Sequence, residues 1–292
     1  MLGAIAGDIC GCPWEGGQCG AGDFELFANG ASITDDTVCT VAIADALLGA
    51  RSEAAVVTAL RSWCKRYPGL GYGSAFNHWV YSRQGPYGSY GNGGAMRVSA
   101  CGWLARSLEE AESLAELTAG VTHNHPEGMR GARAVAGAIW LARQNPDGAL
   151  LRTSLAARYG YTLDESLEAL IARSEYTTEA EFTVPIALMC ATHATSWMHA
   201  IELAVRIGGD TDTIACMAGA IAEARFGLPK EVVDGVQQHL PDDMKQVIGA
   251  FYARIGRSPV ATTSPATIEV NPGQPGMWRQ VWGKLLELLR AG

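Results

Sequence analysis

The stretch "GGDTDTIACMAGAIAEAR", residues 208–225, decides the fold. Its second part is helical in period: Ile214, Met217, Ala218, Ile221, Ala222 and Arg225 recur at steps of three and four, the spacing that lines up side chains on one face of an α-helix. Its first part is unusual chemistry for a helix start. Two glycines lead into alternating aspartate and threonine, Asp210-Thr211-Asp212-Thr213, directly ahead of the apolar run. Far upstream, Thr34-Asp35-Asp36-Thr37 presents the same residue types, again just before an apolar helical pattern.

Working outward, the same period fills 36–50, 53–66, 95–106, 109–122, 128–143, 163–173, 183–194, 197–206 and 243–255, while strand-like alternation is nearly absent. Turn signals fall between these segments, at Gly69 to Gly73, Gln84-Gly85-Pro86, Asn145-Pro146-Asp147-Gly148 and Gly227-Leu228-Pro229. The pattern predicts an all-α bundle of roughly ten or more helices. From Arg257 to Pro275 the composition shifts to Ser, Thr, Pro and Gly, which reads as a linker. The expected organisation is a catalytic domain over 1–256, a linker over 257–275 and a closing segment over 276–292.

Only 18% of the 292 residues are charged, against roughly a quarter in an average chain, so a large apolar core is expected rather than disorder. With 22 basic against 30 acidic residues and no block of Lys or Arg, the chain is not built for broad nucleic-acid binding; a small ligand fits better. The eight cysteines lie mostly inside apolar helical runs and read as reduced core thiols. Cys10, Cys12 and Cys19 crowd together but lack the paired C-x2-C spacing of structural zinc. "MLGAIAGD" has no basic region and meets Asp8 early, and the most apolar later stretch, Val184 to Val205, contains His193, His199 and Glu202. Neither a signal peptide nor a membrane span is expected, which points to a cytoplasmic location.

At a helix N-terminus, Thr34 and Asp210 fit as caps, and the helix dipole favours carboxylates there. Capping needs one side-chain oxygen, however, and each stretch supplies four oxygen-bearing side chains. Apposed, the two stretches would form a cage of hard oxygen ligands, and carboxylates at such separations repel unless a cation lies between them. The spacing does not match an EF-hand loop. Residues 88–98, "GSYGNGGAMRV", are glycine-rich and lead into a helix, so backbone N–H groups can face an anion such as a pyrophosphate. In "THNHPEG", residues 122–128, two histidines stand two apart ahead of a proline-started helix, an arrangement open to a chelate, a ligand contact or a structural turn. Glu15 ends "GDICGCPWE", in the loop after the first helix, where an acidic side chain is either solvated surface or a catalytic group.

Taken in order, "GAIAGD", "TDDT", "GNGGAMR", "THNHPEG", "TVPIAL" and "GGDTDTIA" resemble the ADP-ribosylglycohydrolase family over roughly residues 1 to 255. The resemblance implies a compact orthogonal multi-helix bundle holding two Mg2+ (or Mn2+) ions in a cleft for ADP-ribose. It implies Thr34, Asp35, Asp36, Asp210, Asp212 and Thr213 as metal ligands, and Glu15 and Asp36 as the catalytic carboxylates. It also implies that Ser89, Tyr90, Gly91, Asn92, Gly93, Gly94 and Met96 hold the pyrophosphate and adenosine, with Tyr90 on the adenine, and that His123 touches the ribose.

The implied activity is metal-dependent hydrolysis of the glycosidic bond between ADP-ribose and an acceptor, a protein side chain such as arginine or serine. That bond breaks through an oxocarbenium-like state, which suits ions that orient sugar hydroxyls and acidify a water while Asp36 or Glu15 moves the proton. Two other classes stay open at this point. One is a hydrolase of a small ADP-ribose derivative; the other is a catalytically inactive binding or structural relative, against which the intact ligand set weighs.

The closing segment, "GMWRQVWGKLLELLRAG", places Trp278, Val281, Trp282, Leu285, Leu286 and Leu289 on one helical face, with Arg279, Lys284, Glu287 and Arg290 elsewhere. So apolar a stripe must cover something: its own core, a second copy in a homodimer, or a partner. A membrane surface suits it poorly with so few basic residues on the polar face. Deleting residues 276–292 is expected to leave hydrolysis of a small ADP-ribosyl substrate intact while changing solubility, oligomeric state or activity toward a protein-linked substrate; light scattering and kinetics on the truncated chain check this.

Overall fold

The computed structural model describes residues 1–258; the predicted closing helix and nearly all of the predicted linker lie outside the described residues. The described chain is all-α, as its periodicity predicts. Its helices, in order, are α1 (Leu2–Gly11), α2 (Asp35–Leu48), α3 (Glu53–Arg66), α4 (Ser74–Tyr81), α5 (Ser99–Leu104), α6 (Leu108–Ala119) and α7 (Pro126–Gln144). The second half holds α8 (Gly148–Tyr159), α9 (Leu167–Ala172), α10 (Ala180–His193), α11 (Trp197–Ile207), α12 (Thr211–Phe226), α13 (Lys230–His239) and α14 (Asp242–Ile255). Among the described residues the only β-type pairing is an isolated bridge between Gly91 and Glu179.

Polar side chains at helix starts fix most of the boundaries. Thr34, Ser52, Ser107, Asp147, Ser166 and Ser196 each accept a backbone N–H of the first turn that follows. Asp210 departs from the expectation of a cap: it occupies the N-cap position of α12, but its carboxylate makes no capping bond. It is turned instead toward the side chain of Asn92.

The centre of the molecule is the contact between α1 and α12, both buried along nearly their whole length. Glycines at 3, 7 and 11 make it possible. A Cβ on Gly7 would lie 2.1 Å from the carbonyl oxygen of Ala215, and one on Gly11 would lie 2.4 Å from that of Thr211. The two backbones therefore touch, bringing the start of α12 beside the end of α1. Around this pair, α7, α10 and α11 pack on α12, while α2 packs on α3 and α14.

Two predicted segments are shorter in the structure. Of 95–106, only Ser99–Leu104 is α-helical, because the peptide of Asn92 is held by the carbonyl of Thr178 and the chain makes a separate 3-10 turn at Asn92–Gly94. Of 163–173, the helix keeps Leu167–Ala172, started by the Ser166 cap. Three helices, α4, α8 and α13, were not among the predicted segments. All three start directly after or within stretches read as turns, so their amphipathic pattern was cut by the punctuation that launches them.

Gly7→Val is expected to destabilise the protein by about 2–3 kcal/mol or more, since the added carbons meet backbone that cannot move aside. Gly249→Ala in α14, where a Cβ meets nothing within 4 Å, is expected to be neutral or slightly stabilising. Urea unfolding of both variants checks the contrast.

Candidate active site

The acidic centre is assembled where α1 ends and α2 and α12 begin. Asp8, fully buried in α1, accepts the backbone N–H groups of Thr34 and Thr37 at 3.1 Å each and the Thr34 hydroxyl at 2.7 Å. The Thr37 hydroxyl also donates to it. This one carboxylate clamps the N-terminus of α2 to α1, while the glycine contacts hold α12 on the other side. Asp36 then meets Thr213 across the gap: the Thr213 hydroxyl donates to Asp36 Oδ2 at 3.1 Å, and Asp36 Oδ1 is buried without a hydrogen-bond partner.

A third element closes the group. After α1 the chain makes a 3-10 turn at Cys12–Trp14 and delivers Glu15, whose carboxylate accepts the Tyr176 hydroxyl at 3.1 Å. Its loop is tied to the approach of α12 through Gly16 N–H to Gly209 C=O at 2.9 Å and Gly209 N–H to Gly17 C=O at 3.2 Å. Gly208 and Gly209 both have φ near +85°, a region that disfavours larger residues. Gln18 adds a staple, donating to the carbonyls of Ile171 at 3.0 Å and Ile207 at 2.9 Å. One oxygen from each of Glu15, Asp210 and Asp212 lies within 4.8 Å of the others, a group able to hold a metal ion.

Electrostatics in this centre are strained. Burial raises the Asp35 carboxyl to about 8 and the Asp212 carboxyl to about 9, in both cases with repulsion from neighbouring carboxylates added. Asp36 stands well above the ordinary range through burial and then Asp212, and burial also raises Asp210. Asp8 rises to about 6 through burial, held back by its threonine partners. Among the described residues no Lys or Arg forms an ion pair with any of these groups. A buried oxygen without a donor, like charges crowded together and no positive side chain fit a divalent cation in the hard-oxygen class.

The glycine-rich stretch joins this centre through Asn92, whose amide donates to Asp210 Oδ2 at 2.6 Å. Gly93 and Gly94 lie against the His123 ring, where a Cβ on either would come within about 3.1 Å of it. Tyr90 is 52% exposed and meets His125 edge-on at 5.7 Å, leaving much of its ring open to a ligand. Ser89 accepts the N–H of Gly91 at 3.3 Å, and the Met96 side chain is buried.

His123 is itself buried, and burial together with Arg97 keeps it well below the ordinary histidine range, hence neutral. Arg97 donates to the Thr122 hydroxyl at 2.7 Å, and that hydroxyl meets His123 Nδ1 at 2.7 Å. With the guanidinium on the hydroxyl's lone pair, its proton goes to Nδ1, which leaves Nε2–H as a donor. The two histidines of "THNHPEG" do not form a chelate. His125 Nδ1 accepts the N–H of Glu127 and starts α7, the structural-turn option. The thiols of Cys10, Cys12 and Cys19 are free and gather no metal cluster among the described residues.

Thr34, Asp35, Asp36, Asp210, Asp212, Thr213 and Glu15 thus converge, though the Thr34 hydroxyl is already engaged by Asp8 and by the N–H of Asp36. Sequence reading passed over Asp8, Gln18 and Tyr176. Asp8 had a signal, a carboxylate inside an apolar helical run; Gln18 and Tyr176 act through tertiary contacts that no local pattern encodes.

The ADP-ribosylglycohydrolase family model matches residues 1–260. The chain belongs to the ADP-ribosylglycohydrolase family. It is 28% identical to ADP-ribosylhydrolase ARH3 of Mus musculus over 70% of this chain and 72% of that protein. To ADP-ribosylhydrolase ARH3 of Homo sapiens it is 31% identical over 48% of this chain, spanning about half (51%) of that protein. A solved chain titled "ADP-ribosylglycohydrolase-related protein complex" superposes with a TM-score of 0.64 at 22% identity, covering 87% of this chain and 97% of that one, which establishes the fold. The protein is a glycosidase-type hydrolase acting on ADP-ribose linkages, and its acidic centre can hold metal.

The raised carboxyls carry a stability consequence. A carboxyl whose folded pKa exceeds its unfolded value of about 4 binds more protons when folded, so stability falls as pH rises through the folded value. In metal-free solution the melting temperature is expected to fall between about pH 5 and pH 9. Excess Mg2+ or Mn2+ is expected to remove that decline, with its largest stabilisation at the alkaline end. Calorimetry across pH, with and without metal, checks both.

Proposed function

We propose that the protein releases ADP-ribose from a modified protein side chain, with two divalent ions, Mg2+ or Mn2+, held by Thr34, Asp35, Asp36, Asp210, Asp212 and Thr213. The observation that carries this reading is the 2.6 Å bond from Asn92 to Asp210, which makes the glycine-rich nucleotide loop and the acidic centre one continuous site. A dinucleotide-like ligand with its pyrophosphate against Ser89 to Met96 then has its distal ribose at the carboxylates.

When bound, the ions would orient the ribose hydroxyls and lower the pKa of the attacking water. The chain's own residues supply the rest. Tyr90 offers an exposed ring for the adenine, and His123 offers Nε2–H on the glycine side of the cleft. Asp36 is buried and keeps Oδ1 available for an ion, whereas Glu15 sits at the rim with its carboxylate exposed to the acceptor side. Glu15 therefore takes the proton of the water that attacks C1″. The bond from C1″ to the acceptor atom breaks, the acceptor leaves with a proton, and ADP-ribose departs with a hydroxyl at C1″. Tyr176 positions Glu15 through their hydrogen bond.

The free, mostly buried cysteines support a reducing, cytoplasmic setting, and no helix among the described residues is long and apolar enough to cross a membrane. Incubation with arginine-, serine- and nucleotide-linked ADP-ribose, with products read by mass spectrometry, assigns the acceptor. Release of ribose phosphates in place of ADP-ribose would overturn the glycosidase reading.

Asp212→Asn is expected to lower hydrolysis by about 100-fold or more while keeping the fold, because it removes a charge from the ion site. ADP-ribose at about 100 times its Kd is expected to raise the melting temperature by roughly 5–10 °C, and Asn92→Ala to shrink that shift. Kinetics and thermal melts check the pair.

A further inference from the structure

A second charged site lies beyond the far end of α2, away from the acidic centre. Arg51, Arg106, Arg143, Arg254 and Arg257, with Trp103, line a cavity of about 440 Å3 in a chain whose net charge is −8. The arginines come from four separate segments: the turn after α2, the end of α5, the last turn of α7 and the end of α14. α2, whose first turn carries Asp35 and Asp36, is 14 residues long and Arg51 lies beyond its far end, so the Arg51 side of the cavity is about 20 Å from the acidic centre.

Compensation within the protein is incomplete. Glu110 is shared by Arg51 and Arg106, each at 3.2 Å. Arg143 donates to the carbonyls of Gly102 at 2.6 Å and Ala105 at 3.2 Å, and its Nε is buried without a partner. Arg143 and Arg257 both lie over Trp103, at 5.4 and 5.3 Å from the ring centroid, and no carboxylate pairs with Arg254 or Arg257 among the described residues. Burial and then Arg257 lower the Arg143 pKa, the mark of guanidinium repelling guanidinium. What tolerates the cluster in the free protein is the convergence of the C-terminal ends of α5, α7 and α14, whose carbonyls favour cations.

We infer that this arginine-lined cavity is a binding site for a small polyphosphate, a pyrophosphate- or triphosphate-bearing anion, separate from the ADP-ribose cleft. Guanidinium forks match phosphate oxygens, and a cluster from four segments surrounds a compact anion better than it tracks an extended acidic chain. The volume falls in the range of small-ligand pockets. The inference does not rest on the proposed catalytic function.

The test is calorimetric titration of the full chain with inorganic tripolyphosphate, in metal-depleted buffer at low salt. One equivalent is expected to bind, with affinity falling as salt rises. The double variant Arg254→Glu/Arg257→Glu, at exposed positions outside the catalytic machinery, is expected to lose at least about tenfold in affinity while keeping its melting temperature and basal hydrolysis. Asp212→Asn is expected to bind tripolyphosphate as wild type does. Unchanged binding by the double variant would overturn the site; equal binding of short polyglutamate would overturn the phosphate assignment.

Discussion

The backbone contact between α1 and α12 is the constraint on which the rest of the molecule depends. Any side chain at Gly7 or Gly11 would hold the two helices apart. Because they touch, Asp8 on α1 stands close enough to the first turn of α12 that the helix it clamps, α2, must start facing Asp210 and Asp212. The Asp36–Thr213 bond is the direct record of that register. Two acidic stretches far apart in sequence thus become one centre through a small-residue seam and a single buried carboxylate. Neither is itself chemistry-bearing in the family resemblance.

Charge is handled in opposite ways at helix starts and helix ends. At the N-termini of α2 and α12, carboxylates sit where the dipole is favourable, yet burial, with their mutual repulsion added, outweighs it and their protons are retained to unusually high pH. At the C-terminal ends of α5, α7 and α14, arginines sit where carbonyls favour them, again in excess of the compensation at hand. Folding alone gains little from gathering like charges; a ligand of opposite charge gives each cluster its reason. The cation site and the anion site follow from one argument with the sign reversed.

The sequence made the all-α class, the long helices and the paired acidic stretches legible because each rests on local periodicity or local composition. Thr34 was readable as a cap for the same reason. Asp210 was not, since its carboxylate forgoes the local bond for Asn92, a partner 118 positions away. The helices α8 and α13 hid behind their own turn residues, and the shortening of the helix around Ala95 came from Thr178 and His123, which local pattern cannot see. The arginine cavity was illegible for a further reason: its members are single residues in four segments, none forming a basic block, so net charge and patterning pointed away from an anion site.

Under the proposed mechanism, carboxylates of the acidic centre are given different work by their surroundings. Asp36, Asp210 and Asp212 are buried on helix starts and are fixed by threonine, asparagine or backbone partners, which suits oxygens that must hold a cation in one place. Glu15 is on a loop whose backbone is pinned by two backbone hydrogen bonds to Gly209 and by the Gln18 staple, while its carboxylate stays exposed under the Tyr176 hydroxyl. A pinned backbone with a free side chain is what a proton-transfer group needs, because it must meet water and acceptor in turn without losing its place. Burial separates the two roles, just as it separates paired carboxylates in glycosidases that lack metal, and here the fold achieves that separation by putting one carboxylate on a loop and the others on helices.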